Sequence, residues 1–258
     1  MLSEIQATID TLKKQGIRLS APVLVDLVGL IIFIFVNSIY IKKIVAALTS
    51  FNVHVSRNME AIMGDLLTTK DIFSIMSKYP LIANDLSTVF FLTFLMFVSC
   101  FIIYCVFQSV SWFFAYRFTG HKVSLSRFML RFSVVNIPWV LLLLLGSFIS
   151  LIFDIRAALS TSPVSFNNIF TSILMFFLVY IALVSYTRLD KKNPFKALKS
   201  IARKRLFLGY VGGFALFFGT VFLFSLVPIH AIQLILEVLF LLPLLTGLRV
   251  FFLKLSKN

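Results

Sequence analysis

The sequence predicts an all-α, polytopic membrane protein: a six-transmembrane-helix bundle with amphipathic interfacial helices. Two observations carry that class. The 258 residues are 60% apolar and only 13% charged, with a mean hydropathy of +1.01, whereas a soluble domain is about 45–50% apolar and about 25% charged. The charges are also gathered between long apolar runs rather than scattered along the chain. The same composition excludes a disordered chain, which needs low hydrophobicity, and two cysteines are too few for a disulfide scaffold.

Residues 1–20 read as an N-terminal interfacial amphipathic helix. Ser3 with Gln6 forms a capping-box pattern, Ile5, Ile9 and Leu12 share a face, Lys13 and Lys14 lie on the polar side, and Gly16 ends the helix. It is expected to anchor on the inner membrane surface.

Residues 21–258 read as one membrane domain. A spanning helix needs about 20 apolar residues, because the hydrocarbon core is about 30 Å thick and each residue rises about 1.5 Å. Leu19 to Ile41 carries only Asp26 as a charge, and Ser20, Ala21 and Pro22 open it, giving span one at about 22–41. This run exceeds the 7–15 residues of a secretory h-region, so it is expected to remain as an uncleaved helix. Leu86–Tyr116 and Phe132–Phe153 are free of charge and supply spans two and three, at about 88–114 and 132–153. Thr161 to Asn168 reads as a loop and leaves span four at 169–186. The 48 residues from Leu206 to Leu253 hold only Glu237 and Arg249, and Pro228, Ile229 and His230 divide them into spans 206–227 and 231–253.

Positive charge sets the orientation, since cytoplasmic connections carry the excess of lysine and arginine. With this topology one side holds 18 of these residues and the other six. Both termini are therefore predicted to be cytoplasmic, in a multi-pass protein of the cell membrane. Trp112, Tyr116, Tyr186 and Tyr210 fall at the inner ends of spans, where an interfacial aromatic belt is expected.

The longest connection, Lys42 to Asp85, lies outside and is patterned. Met59, Ile62, Met63, Leu66 and Leu67 make one helical face and Ile72, Phe73, Ile75 and Met76 a second, which predicts a helical outer cap at about 51–85. The two basic inner connections resemble each other. Tyr116, Arg117 and Ser124 parallel Tyr186, Arg188 and Asn193, with the caps 69 residues apart, and each leads into a basic amphipathic turn. The pattern reads as an internal duplication into parallel repeats.

No catalytic or metal-binding signature occurs, and no cofactor is expected: there is no H-E-x-x-H, G-x-S-x-G, P-loop or zinc-spaced cysteine pair. His54, His121 and His230 are dispersed, and Cys100 and Cys105 read as packing residues. The strongest pointers are ionisable groups at membrane depth, because a charge facing lipid costs roughly 2.5–3.5 kcal/mol at the bilayer centre. Asp26 and Arg249 sit at similar inner depth and form a predicted ion pair. Glu237 is 12 residues from Arg249, about 18 Å along a helix, and cannot reach it. Glu237, Gln233 and Asn136, with kinks at Pro138 and Pro243, could instead line a polar pathway. Gly209 and Gly213 form a G-x-x-x-G that lets another helix approach, within the bundle or in a homo-oligomer.

Two function classes follow. The first is a membrane scaffold or accessory subunit without catalytic activity. Its basic elbows, chiefly Lys191, Lys192, Lys196, Lys199, Arg203, Lys204 and Arg205, would engage anionic lipid headgroups or a protein partner, and the outer cap offers a second docking place; no nucleic acid is implied. The second is a small-solute or ion transporter or channel with Asp26 or Glu237 in the pathway. The midplane composition, dominated by phenylalanine, leucine and valine, favours the scaffold. An intramembrane lipid-modifying enzyme would need the outer cap to supply its chemistry.

Overall fold

The structure, a computed structural model, describes residues 2–68, 77–159, 166–189 and 203–256. Among them every regular element is a helix: α1 Leu2–Gln15, a 3-10 turn Gly16–Leu19, α2 Ser20–Arg57, α3 Met59–Thr68, α4 Pro80–Phe118, α5 Leu125–Leu159, α6 Phe166–Tyr186, α7 Lys204–Ser225 and α8 His230–Leu255. Among the described residues, five helical stretches are long and apolar enough to cross a membrane, lying in Leu2–Arg57, Pro80–Phe118, Leu125–Gly146, Lys204–Ser225 and Ile232–Leu255. A sixth apolar stretch, Ser172–Tyr186 in α6, is shorter.

The chain divides into two compact units, Met1–Leu27 with Cys105–Asn258, and Val28–Tyr104. In the first, α1 packs on α8, α5 on α6, and α7 on both α6 and α8. Trp112, Tyr116, Phe128, Phe132, Tyr186 and Val250 form its main buried cluster. Tyr180, Tyr210 and Phe252 form a second, with Phe176 and Phe214 packed against it. In the other unit Asp85 accepts hydrogen bonds from Ser50 Oγ (3.0 Å) and His54 Nδ1 (2.7 Å), and Tyr40 pairs with Ser99 (3.2 Å). Its helices turn large apolar side chains outward, among them Phe35, Phe90, Phe91 and Phe94, all at least 60% exposed.

Several boundaries differ from the sequence expectations. Residues 51–57 of the expected outer cap continue α2, and Pro80 opens α4, so among the described residues α3 stands as the separate cap helix; the second apolar face, residues 72–76, lies outside the described residues. The charges at Lys42, Lys43 and Asp85 do not end helices, because a charged side chain leaves the backbone bonds of a helix intact: the two lysines are exposed, and Asp85 is bonded to His54 and Ser50. The Ser3–Gln6 capping box does not form. Helix α1 already begins at Leu2, and Ser3 donates to Glu4 while Gln6 donates to Asp10. Gly16 does end α1, in a left-handed conformation at φ +49° that glycine adopts without steric cost.

The aromatic residues expected in an interfacial belt lie inside the protein instead. Trp112, Tyr116, Tyr186 and Tyr210 are at most 4% exposed. Their rings fill the space between helix ends, and the tyrosine hydroxyls satisfy backbone or amide groups rather than water.

Candidate functional site: a closed buried charge cluster

Asp26 lies in the second turn of α2, just after the buried Pro22. Arg249 lies in the last third of α8, one turn beyond the buried Thr246. Their side chains meet as a fork on a fork: Arg249 Nη1 donates to Asp26 Oδ2 at 2.6 Å and Nη2 to Oδ1 at 3.1 Å. The side chains are 7% and 2% exposed, so the pair is essentially dry. Such a pair repays its desolvation only when the remaining lone pairs and protons are also bonded.

Helix α4 supplies those bonds. Ser111 Oγ donates to Asp26 Oδ1 at 2.7 Å. Gln108 Nε2 donates to the same oxygen at 3.3 Å, while Gln108 Oε1 accepts from Arg249 Nη2 at 2.7 Å. Gln108 therefore touches both charges, using its amide as donor toward the carboxylate and as acceptor from the guanidinium. Gln108 and Ser111 are three residues apart and share one helix face. Sequence reasoning did not single them out, although two hydrogen-bonding side chains at i, i+3 in an uncharged span were the available signal.

A second polar centre joins the turns that follow α4 and α6. Beyond the end of α4, Gly120 takes φ +86°, and the N–H groups of Gly120 and His121 donate to Arg117 and Tyr116 carbonyls at 3.1 and 3.0 Å, the Schellman pattern. That stop fixes Tyr116, whose hydroxyl donates to Tyr186 O at 2.6 Å and accepts from Leu189 N–H at 2.9 Å. Arg131 Nη1 adds a bond to Leu189 O at 3.1 Å. Tyr186 in turn donates its hydroxyl to Asn136, whose amide bonds Phe132 O at 2.7 Å. Tyr116 and Tyr186 are thus bonded to each other.

The other sequence-selected residues are distributed as follows. Gln233 donates to Glu237 at 2.9 Å within α8, and Asn136 is engaged with Tyr186 instead of with either of them. Gly209 and Gly213 are buried against α8: a Cβ at Gly209 would collide with Leu255 and approach Phe251 to 3.3 Å, and one at Gly213 would meet Leu248 at 3.1 Å. Arg203, Lys204 and Arg205 are exposed at the N-terminus of α7. Lys191, Lys192, Lys196 and Lys199 lie outside the described residues. Among the described residues no three His, Cys, Asp or Glu side chains are grouped to hold a metal.

Comparison with protein-family models, with curated proteins and with solved structures found no match.

Proposed function

We propose that the protein is a multi-pass scaffold or accessory subunit of the cell membrane, without catalytic activity, crossing six times with both termini cytoplasmic. Its basic inner connections hold anionic lipid headgroups or an acidic partner, with the connection leading into α7 as the main contact. One contrast supports this reading. The charges buried between α2 and α8, Asp26 and Arg249, are closed on each other and on Gln108 and Ser111, while Arg203, Lys204 and Arg205 are exposed at a helix start. A transporter would need the buried charges to meet its cargo, and here their bonding positions are already taken. The exposed phenylalanines of α2 and α4 suit lipid, since contiguous apolar surface of that kind is rare on soluble monomers.

Three cations at the start of a helix oppose its dipole, and an anion seated there relieves them. The test is native mass spectrometry of the full chain with phosphatidylglycerol and with phosphatidylcholine. Phosphatidylglycerol should bind preferentially, and the preference should weaken with salt. Changing Arg203, Lys204 and Arg205 together to glutamine should reduce it, at about 1 kcal/mol per residue near the surface. Equal binding of the two lipids at low salt would refute the headgroup role.

A further inference from the structure

The geometry points to a specific lipid seat: a cleft between α1, α7 and α8 that takes one acyl chain of an anionic glycerophospholipid whose phosphate rests on Arg203 to Arg205. This inference rests on the anionic-lipid reading above and gives it a location. The cleft has a volume of about 470 Å³ and nearly wholly apolar walls, including Ile5 and Ile9 of α1, Gly212 and Leu216 of α7, and Leu244 and Leu248 of α8. Lys254 Nζ donates to Ala7 O and Thr11 Oγ1, which holds α1 across α8 as the third wall.

Gly212 indicates that the space is meant to stay open. Gly209 and Gly213 are needed by the close approach of α8, but a Cβ on Gly212 would meet nothing within 4 Å. Glycine is the poorest helix former after proline, and nothing inside the protein requires it here. Substituting a larger side chain would fill the cleft.

Length and charge select the occupant. Arg205, Gly209, Gly212 and Leu216 follow the i, i+4, i+7, i+11 spacing of one helix face. Arg205 to Leu216 is eleven residues, about 16 Å along the axis, and one leaflet of a 30 Å core is about 15 Å deep. A phosphate at the basic mouth therefore lays its chain along the cleft floor, with the N-terminal amides of α7 adding donors to the anion. A second copy of this chain fits less well, because a two-fold contact would bring the same three cations face to face.

The experiment uses the full-length protein in nanodiscs containing phosphatidylglycerol with a photoreactive diazirine at mid-chain, or the matching phosphatidylcholine, and maps labelled residues by mass spectrometry. Wild type should be labelled at Ile5, Ile9, Leu216 and Leu244 by the anionic probe in preference to the zwitterionic one. Gly212→Leu should lose that labelling while keeping its elution volume, and Arg205→Gln should lower it about fivefold. If Gly212→Leu does not fold, the wild-type map and Arg205→Gln decide the matter alone. Anionic preference with labelling elsewhere, unchanged by Gly212→Leu, overturns the cleft and leaves the headgroup role standing. No anionic preference at all overturns both. A change of oligomeric state in Gly212→Leu, with the label unaffected, assigns the cleft to a second copy and overturns the lipid seat.

Discussion

Breaking the Asp26–Arg249 pair from one side should cost far more than removing both charges. In Arg249→Gln, Asp26 loses two guanidinium bonds and keeps only Ser111 Oγ and the longer Gln108 contact, while its charge stays buried at 2% side-chain exposure. In Asp26→Asn, Arg249 keeps one strong acceptor, Gln108 Oε1. Breaking a buried pair in this way typically costs about 3–5 kcal/mol. At about 2–4 °C per kcal/mol for a chain of this size, each single variant should melt roughly 6–20 °C lower. The neutral double variant, Asp26→Asn with Arg249→Gln, leaves no uncompensated charge and should recover most of the loss. The exchanged pair, Asp26→Arg with Arg249→Asp, should recover less, because an arginine on α2 must find a new geometry beside Ser111 and Gln108. The assay is thermal unfolding in detergent at one fixed heating rate, with size-exclusion to confirm monodispersity, since such unfolding is often irreversible. Because the double variant should lose less than either single one, a double-mutant cycle should give a coupling larger than either single loss, at least about 3 kcal/mol. Strict additivity, or single variants within about 0.5 kcal/mol of wild type, would refute the closed-cluster argument. It would also favour a hydrated Asp26 and reopen the transport reading.

The remaining expectations use the same melting assay or simple labelling. Gly209→Ala should destabilise, because its Cβ meets Leu255 and Phe251, whereas Gly212→Ala should gain about 0.4–1 kcal/mol by reducing unfolded-chain freedom; the opposite order would contradict the α7–α8 packing. Tyr116→Phe removes the hydroxyl that accepts from the buried Leu189 N–H and donates to the Tyr186 carbonyl and should cost about 1–3 kcal/mol, so an unchanged midpoint would mean that water reaches this turn. In a background without Cys100 and Cys105, cysteine at positions 57 and 78 should label from outside and at 122 and 192 from inside. External labelling at 192 would invert the topology.

The charge cluster was partly legible because charges inside apolar runs are few and helix rise places each at a definite depth. Asp26 and Arg249 match in depth, and the same arithmetic separates Glu237 from Arg249 by about 18 Å. The structure seats Glu237 beside Gln233, one turn away on its own helix. Gln108 and Ser111 were harder to find, since uncharged polar residues are common in such helices and become partners only when a particular face is turned toward a charge. The burial of Trp112, Tyr116, Tyr186 and Tyr210 was not legible either. An amphipathic ring at a helix end suits both a lipid interface and an interhelical gap, and only packing against Phe128, Phe132 and Phe176 decides between them. Helix ends are not legible from charge. A charge limits the apolar run that can sit in lipid, but it does not interrupt the backbone bonds that carry α2 to Arg57.

In the first unit, the polar contacts of α1 and α2 converge on one helix. Helix α8 provides Arg249 to Asp26 of α2 and Lys254 to Ala7 and Thr11 of α1. Until α8 is in place, Asp26 has neutral partners only, and α1 lacks the cation that pins its carbonyl and hydroxyl. In the bilayer proposed here, the unpaired aspartate costs up to the roughly 2.5–3.5 kcal/mol of a lipid-exposed charge. Docking of α8 removes that cost, and it closes α1 over the glycine face of α7 in the same step. The pair to α2 and the contacts to α1 thus sit on one helix, α8, which also walls the cleft at Gly212. A variant that weakens the Asp26–Arg249 pair should therefore lose acyl-chain labelling at Ile5 and Ile9 even though neither residue touches the pair.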